Sequence, residues 1–129
     1  MDITFTADDP LSIDADLLAL AIGEDLAGLD ALTGALGDGL EAFARDSGFT
    51  GATGSSLVVP GLGRTTATDV VLVGTGSGTA TDLRKAAAQA GRVARGRGTG
   101  RLALALGEGL DGRIAVEATL AGNYTFDKY

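Results

Sequence analysis

The run Asp69-Val-Val-Leu-Val73 constrains the fold more than any other feature of this sequence. A continuous aliphatic run of strand length is typical of a β-strand that is covered on both faces. Glycines follow it at once, and then a segment from Thr81 to Arg97 in which small apolar residues recur at helical spacing. Because such a strand needs a packed layer on each side, this unit predicts an α/β fold.

The rest of the sequence repeats this alternation of strand and helix. Met1, Ile3 and Phe5 alternate with polar residues, which predicts a strand with one wet face, at or near an edge of the sheet. Three short apolar runs predict further strands: Leu17–Ile22, Leu57–Val59 and Leu102–Leu106. Strands that alternate with helices indicate a mixed or largely parallel sheet, and 129 residues suit one compact domain.

Helices are predicted where apolar residues recur at spacings of three and four. The first helix has the inner stripe Leu29, Leu32, Leu36, Leu40 and Phe43, and Gly48 is placed to end it. The middle helix, which Thr79 and Asp82 would cap, has Leu83, Ala86, Ala87, Ala90 and Val93 with Ala94 on its inner side. On the last helix, the inner residues are Leu110, Ile114, Ala118 and Ala121.

Two residue types are missing from the whole sequence, which restricts its chemistry. Without cysteine there is no disulfide framework, no thiolate zinc site and no cysteine nucleophile. Without histidine, a Ser-His-Asp triad and imidazole metal ligands are excluded as well. The N-terminus carries an acid where a signal peptide would carry positive charge, and no apolar stretch reaches the roughly 18 to 20 residues of a membrane span. We therefore expect a cytoplasmic protein with no membrane partner.

The charges are unevenly distributed along the chain. The net charge of −7 opposes nonspecific binding to nucleic acid. Eleven of the seventeen acids lie within residues 1–46, whereas six cations fall between Arg84 and Arg101. A regulator that binds nucleic acid through this basic segment is the least favoured hypothesis, because a solvated helix face that complements the helix dipole explains the cluster more simply.

Gly74, Gly76 and Gly78 follow the buried strand and precede a helix, as glycines do in phosphate-binding loops. The pattern lacks the third glycine of the dinucleotide fingerprint, because Thr79 stands there, and it lacks the Gly-Lys-Ser/Thr of a phosphate loop. Glycine also serves tight turns that bind nothing. We therefore interpret the segment as a turn and keep it as a weak candidate for phosphate binding.

Three pairs of carboxylates could in principle bind a hard cation: Asp8-Asp9, Asp14 with Asp16, and Glu24-Asp25. Their spacing fits no EF-hand loop, and aspartate is common as a cap or turn residue. We expect them to be solvated. We assign no metal ligand, no cofactor-binding residue and no catalytic residue to this sequence.

The last ten residues, from Leu120 to Tyr129, end in an aromatic cluster. Tyr124, Phe126 and Tyr129 make up three of the six aromatic residues of the chain. Chain ends have little against which to bury such rings, which suggests a missing neighbour. We expect residues 120–129 to begin a linker to another domain, and we take these three aromatic residues as candidates for interdomain contact.

Several motifs together carry a resemblance to the leucyl (cytosol) aminopeptidase family. In order they are Leu29-Asp-Ala-Leu32, Phe49-Thr-Gly51, Leu57-Val-Val-Pro60, Val70 to Gly74 with Gly76, Asp82-Leu-Arg-Lys-Ala-Ala87 and Gly122-x-Tyr-x-Phe-Asp-x-Tyr129. Each motif alone is weak. Their order and spacing cover essentially all 129 residues and resemble the N-terminal domain of that family.

The resemblance implies a three-layer, macrodomain-like α/β/α sandwich. It also implies that catalysis belongs to a C-terminal peptidase domain of the same polypeptide. That enzyme would hold two divalent metals, zinc or manganese, release N-terminal residues such as leucine, and form a hexamer. The family's Asn-Thr-Asp-Ala-Glu-Gly-Arg signature is absent here, so no metal ligand or catalytic residue is carried over. This chain alone would be a non-catalytic accessory or assembly domain.

A free-standing ligand-binding module is the alternative. Macrodomains bind ADP-ribose through glycine-rich loops, and the segment from Gly74 to Gly78 could imitate one. Similarity of fold does not by itself confer the binding of a ligand. The accessory role is therefore the first hypothesis, and the ADP-ribose or nucleotide module is the second.

Overall fold

The computed structural model describes residues 2–5, 13–106 and 112–124. Its strands and helices are, in chain order, β1 (Asp2–Phe5), β2 (Leu17–Gly23), α1 (Asp30–Leu36), α2 (Leu40–Asp46), β3 (Ser56–Pro60), β4 (Asp69–Gly76), α3 (Ala80–Gly96), β5 (Arg101–Ala105) and α4 (Gly112–Tyr124). A 3-10 turn, Glu24–Leu26, follows β2. This order confirms the predicted alternation of strands and helices.

The strands form one sheet in the order β1-β5-β2-β4-β3. Strands β1, β5, β2 and β4 run parallel, and β3 is antiparallel to β4. Leu17 on the central strand β2 is in register with both Asp69 and Leu102. The sheet is therefore mixed and mostly parallel, with β1 at one edge, as predicted.

Helices cover both faces of this sheet. Successive residues of β2 and β4 point to opposite faces, so neighbouring residues pack in different core clusters. Leu18 and Leu72 belong to a core cluster shared with the helical segments between β2 and β3. Leu17 and Val71 belong to a second cluster, which contains residues of α3 and α4. All four side chains are buried. The predicted three-layer α/β/α sandwich is confirmed.

The first predicted helix is in fact two short helices, so that prediction is wrong in its continuity. Gly37 has a φ of 102° and its N–H donates to Thr33 O, which ends α1. The break changes the helical phase, and α2 turns Leu40 and Ala44 inward. Phe43, predicted to be on the inner stripe, is 47% exposed.

The face that α4 buries agrees only in part with the prediction. Ile114 and Ala118 pack against the core as predicted. Ala121 is exposed, whereas Thr119 and Gly122 are buried, and the predicted inner residue Leu110 lies outside the described residues. A Cβ atom on Gly122 would lie 2.0 Å from the carbonyl oxygen of Ala88 in α3. The two helices therefore cross at Gly122, and this close approach sets the rotation of α4. In α3 the predicted inner stripe is confirmed, with Leu83, Ala86, Ala87, Ala90 and Ala94 buried and Val93 packed against the same core.

Candidate functional site

A polar crevice lies at the carboxyl ends of β2 and β4, where α/β proteins commonly bind their ligands. Its volume is about 310 Å³, and it is lined by Glu24, Asp25, Thr50, Ala52, Thr53 and Gly76. Glu24 and Asp25 are exposed and belong to the 3-10 turn after β2. The crevice therefore presents carboxylates, which disfavour a diphosphate on electrostatic grounds.

Two of the three candidate phosphate glycines, Gly74 and Gly76, do not form the predicted turn, because they belong to β4. The N–H of Gly74 donates to Ser55 O, and that of Gly76 donates to Gly51 O, each at 2.9 Å. A Cβ atom on Gly74 would lie 2.0 Å from Ala52 O. Because these two glycines have no side chains, the 51–55 loop can pack directly against the strand. Their N–H groups are already hydrogen-bonded to this loop.

Gly78 does lie in a turn, since its N–H donates to Thr75 O at 2.8 Å and its φ is 79°. The helix that follows is already capped by protein groups. The Thr79 hydroxyl accepts from the Asp82 N–H and the Asp82 carboxylate accepts from the Thr79 N–H, which confirms the predicted capping box.

Asp82 is held by two further side chains. Thr53 Oγ1 donates to Asp82 Oδ1, and Ser77 Oγ donates to Asp82 Oδ2, both at 3.1 Å. These bonds, the side-chain bond with Thr79 first among them, lower the pKa of the Asp82 carboxyl, although desolvation acts in the opposite direction. A carboxylate therefore occupies the helix N-terminus, where a bound phosphate would be stabilised.

The paired carboxylates that the structure describes do not assemble a metal site. Asp16 Oδ2 accepts from the backbone N–H groups of Gly100 and Arg101 at 3.1 and 2.8 Å, so it fixes the chain before β5. Asp14 forms an ion pair with Arg101. Within residues 2–5, 13–106 and 112–124, no three potential ligands lie close enough together to hold a metal ion. The pair Asp8-Asp9 lies outside these residues.

The cations of the basic segment are dispersed over α3 and the start of β5. Arg97 pairs with Asp69, Arg101 pairs with Asp14 at 2.9 Å, and Arg92 Nη1 donates to Gln89 at 2.9 Å. Arg84 is exposed on the outer side of α3. Part of the positive charge of this segment is thus neutralised by acids at the amino ends of β2 and β4.

The aromatic candidates for interdomain contact are described only in part. Tyr124 is the last residue of α4, while its side chain, Phe126 and Tyr129 lie outside the described residues. Their contact with another domain therefore stays a prediction. Among the helices that the structure describes, none has the length and apolar character needed to cross a membrane.

An apolar groove that the sequence did not reveal lies between α2 and the segment after β3. Its volume is about 290 Å³, and its lining is Leu36, Gly39, Leu40, Phe43, Val59, Pro60, Leu62 and Arg64. Phe43 is 47% exposed and Leu62 is 81% exposed. The one sequence feature that points to this groove is Leu62, which lies between two glycines. An isolated leucine in a turn is not part of an apolar stripe of a helix or strand, so no sequence pattern predicts its burial.

Residues 19–129 match the family model described as the N-terminal domain of the cytosol aminopeptidase family. No curated protein matches the sequence. Among solved structures, the chain is similar to a mutant of tomato leucine aminopeptidase with a TM-score of 0.68 and 21% identity; the likeness covers 96% of this chain and 28% of that one.

Two further solved structures are similar. The bottromycin maturation enzyme BotP in complex with Mn has a TM-score of 0.59 and 27% identity, over 89% of this chain and 24% of that one. The macrodomain of Mycobacterium tuberculosis DarG has a TM-score of 0.64 and 17% identity, over 93% of this chain and 88% of that one. The fold is thus macrodomain-like, and the chain spans about a quarter of the length of the two enzymes.

Proposed function

This chain belongs to the cytosol aminopeptidase family as its N-terminal domain, and from that premise we propose that it is a non-catalytic accessory or assembly domain of a metal-dependent aminopeptidase. The observation that carries the proposal is the family match over residues 19–129. The likeness to leucine aminopeptidase extends over only 28% of that enzyme, which leaves room for a separate peptidase domain. The parent polypeptide would release N-terminal amino acids from peptides in the cytoplasm.

The chemistry of the chain supports placing catalysis elsewhere. The full sequence contains no histidine and no cysteine, and the part that the structure describes brings together no group of three potential metal ligands. The structure of the similar enzyme BotP is that of a complex with Mn. We propose that two divalent ions, zinc or manganese, belong to the C-terminal peptidase domain, and that the parent assembles as a hexamer.

The end of α4 supports a role in joining the two domains. This helix packs against α3 at Gly122 and ends at Tyr124. Residues 120–129 would lead from that fixed point to the peptidase domain, and Tyr124, Phe126 and Tyr129 would pack against it. Aromatic side chains are suited to such contacts because they bury a large area at small entropic cost.

The test compares two purified proteins, the 129-residue chain and the longer polypeptide with its peptidase domain. Release of p-nitroaniline from leucine p-nitroanilide is measured in the presence of Mn²⁺, and circular dichroism establishes that both proteins are folded. We expect turnover by the longer polypeptide only. Robust turnover by the folded 129-residue chain would refute the non-catalytic role.

A free-standing module that binds ADP-ribose or a nucleotide is the second candidate. It is supported by the likeness to the DarG macrodomain, which at 17% identity concerns the fold alone, and by the crevice at the strand ends. The carboxylates of Glu24, Asp25 and Asp82 and the occupied amides of Gly74 and Gly76 oppose it. Saturable heat in a calorimetric titration with ADP-ribose would support this candidate, and a flat titration at millimolar ligand would remove it.

A further inference from the structure

The apolar groove between α2 and residues 59–64 has the features of a contact site for another polypeptide. Its volume of about 290 Å³ falls just below the range of about 300 to 1,000 Å³ that is usual for small-molecule pockets. The groove is therefore better suited to the side chains of a polypeptide than to an enclosed small ligand. Phe43 and Leu62 expose apolar surface on its two sides. They are the large hydrophobic residues exposed among those that the structure describes, and both line the same groove.

Leu62 is held in this position by a hydrogen-bonded turn. Its φ of 51° is left-handed, a conformation that is uncommon and costly for a leucine. The turn is closed by hydrogen bonds from Gly61 N to Thr68 O at 3.0 Å and from Arg64 N to Gly61 O at 2.8 Å. Thr65 Oγ1 donates to Ala67 O at 2.7 Å, and both residues are buried. The structure thus presents an apolar side chain to solvent on a turn that is closed by hydrogen bonds.

Arg64 adds a positive charge to the rim of the groove. Its guanidinium lies against α1, since a Cβ atom on Gly37 would be 2.9 Å from Arg64 Nη1. Arg97 and Arg101 pair with carboxylates, but Arg64 has no such partner among the described residues. In a chain of net charge −7, a cation left unpaired beside an apolar surface is suited to a carboxylate supplied from outside.

We propose that this groove binds a segment of another protein in which aliphatic side chains flank a carboxylate. The aliphatic groups would pack on Phe43 and Leu62, and the carboxylate would pair with Arg64. This arrangement has the apolar centre, charged rim and arginine anchor that are common in protein interfaces. The proposal adds a partner class to the accessory role and stands whether or not the parent enzyme is active.

The test uses the 129-residue chain and three fluorescein-labelled peptides, Ser-Leu-Leu-Glu-Leu-Ser and its versions with Gln or Lys in place of Glu. Binding is followed by fluorescence anisotropy at low salt. We expect the Glu peptide to bind about threefold to fivefold more tightly than the Gln peptide, and the Lys peptide to bind most weakly. Arg64→Glu should reverse the order of the Glu and Lys peptides.

Two further variants separate the groove from general charge and folding effects. Leu62→Gly removes the apolar side chain and accepts a positive φ without strain, so it should stay folded and weaken all three peptides by about tenfold. Arg84→Glu, on the exposed side of α3, makes the same charge change away from the groove and should leave the order unchanged. Equal binding of the three peptides, no binding of any peptide, or the same effect from both arginine variants would overturn the proposal.

Two other occupants would also overturn it. If sedimentation shows a dimer that Leu62→Gly dissociates, the groove is an interface between two copies of this chain. If peptides bind only after residues 125–129 are removed, the groove belongs to the end of the chain itself. Neither result would affect the proposed accessory role, which is tested separately by turnover of leucine p-nitroanilide.

Discussion

Thr53 donates a hydrogen bond to Asp82 across a separation of 29 residues, with 3.1 Å between Oγ1 and Oδ1. The bond joins the loop after α2 to the first turn of α3. Ser77 and Thr79 bond to the same carboxylate, so that four residues from two segments of the backbone meet at one charged group. Asp82 therefore stabilises the turn after β4, a place where a nucleotide-binding protein would hold a phosphate.

Asp82→Asn should reduce the dependence of stability on acid pH. The side-chain hydrogen bond with Thr79, helped by Ser77 and Thr53, lowers the pKa of Asp82 in the folded state. A lowered folded pKa contributes stability above the ordinary value of 3.8, and this contribution is lost as the pH falls through the folded pKa. Urea denaturation at a series of pH values below about 5 should show a steeper loss for the original chain than for Asp82→Asn.

The matched control for this prediction is Asp30→Asn, which removes one exposed carboxylate from the first turn of α1. Asp30 has no hydrogen bond to the 51–55 loop. The control should therefore lose stability at acid pH as steeply as the original chain does. If the two variants flatten the pH dependence equally, the network around Asp82 is not the source of the stability.

Gly74→Ala should destabilise the fold, whereas Gly34→Ala should not. A Cβ atom on Gly74 would lie 2.0 Å from the carbonyl oxygen of Ala52, so strand and loop would have to separate, at a cost of about 1 to 3 kcal/mol. Gly34 lies in α1 with nothing within 4 Å of its added Cβ, and alanine there should raise the free energy of unfolding by up to about 1 kcal/mol. Urea denaturation of both variants measures the difference, and a stable Gly74→Ala protein would contradict the close approach.

Leu40→Ala and Phe43→Ala should differ strongly, although the sequence pattern places both residues on one helical stripe. Leu40 is 4% exposed, and its truncation should cost about 2 to 5 kcal/mol. Phe43 is 47% exposed, and its truncation should cost less than about 1 kcal/mol. Thermal and urea unfolding give both values. Equal losses of stability in the two variants would support a single continuous helix and contradict the break at Gly37.

The elements predicted correctly are those whose burial pattern is visible within a single segment, as a continuous apolar run or as a helical stripe. Strands β2 and β4 have continuous apolar runs, and α3 has its stripe from Leu83 to Ala94, because each packs on its own layer over its whole length. The errors arise where a distant segment decides the outcome. The 51–55 loop extends β4 through Gly74 and Gly76, and the crossing with α3 at Gly122 sets the rotation of α4.

The apolar groove could not be predicted for the same reason. It combines α2 with residues 59–64, and it depends on the phase of α2 after the break at Gly37 and on the left-handed φ of Leu62. Neither is visible as a period in the sequence. The relation to aminopeptidases rests on the resemblance of motifs, since the sequence, which lacks histidine and cysteine, contains no catalytic motif from which an activity could be predicted.

Divalent metal should leave the stability of the 129-residue chain unchanged. The described residues contain no group of three histidine, cysteine, aspartate or glutamate side chains that could hold an ion. A site filled at a thousand times its Kd would add about 4 kcal/mol of stability and raise the unfolding temperature by roughly 10 °C or more. Calorimetric scans with Mn²⁺ or Zn²⁺, and with a chelator as control, should therefore superimpose. A saturable rise that Asp8→Asn with Asp9→Asn abolishes would instead locate a metal site in this domain and contradict the assignment of both ions to the peptidase domain.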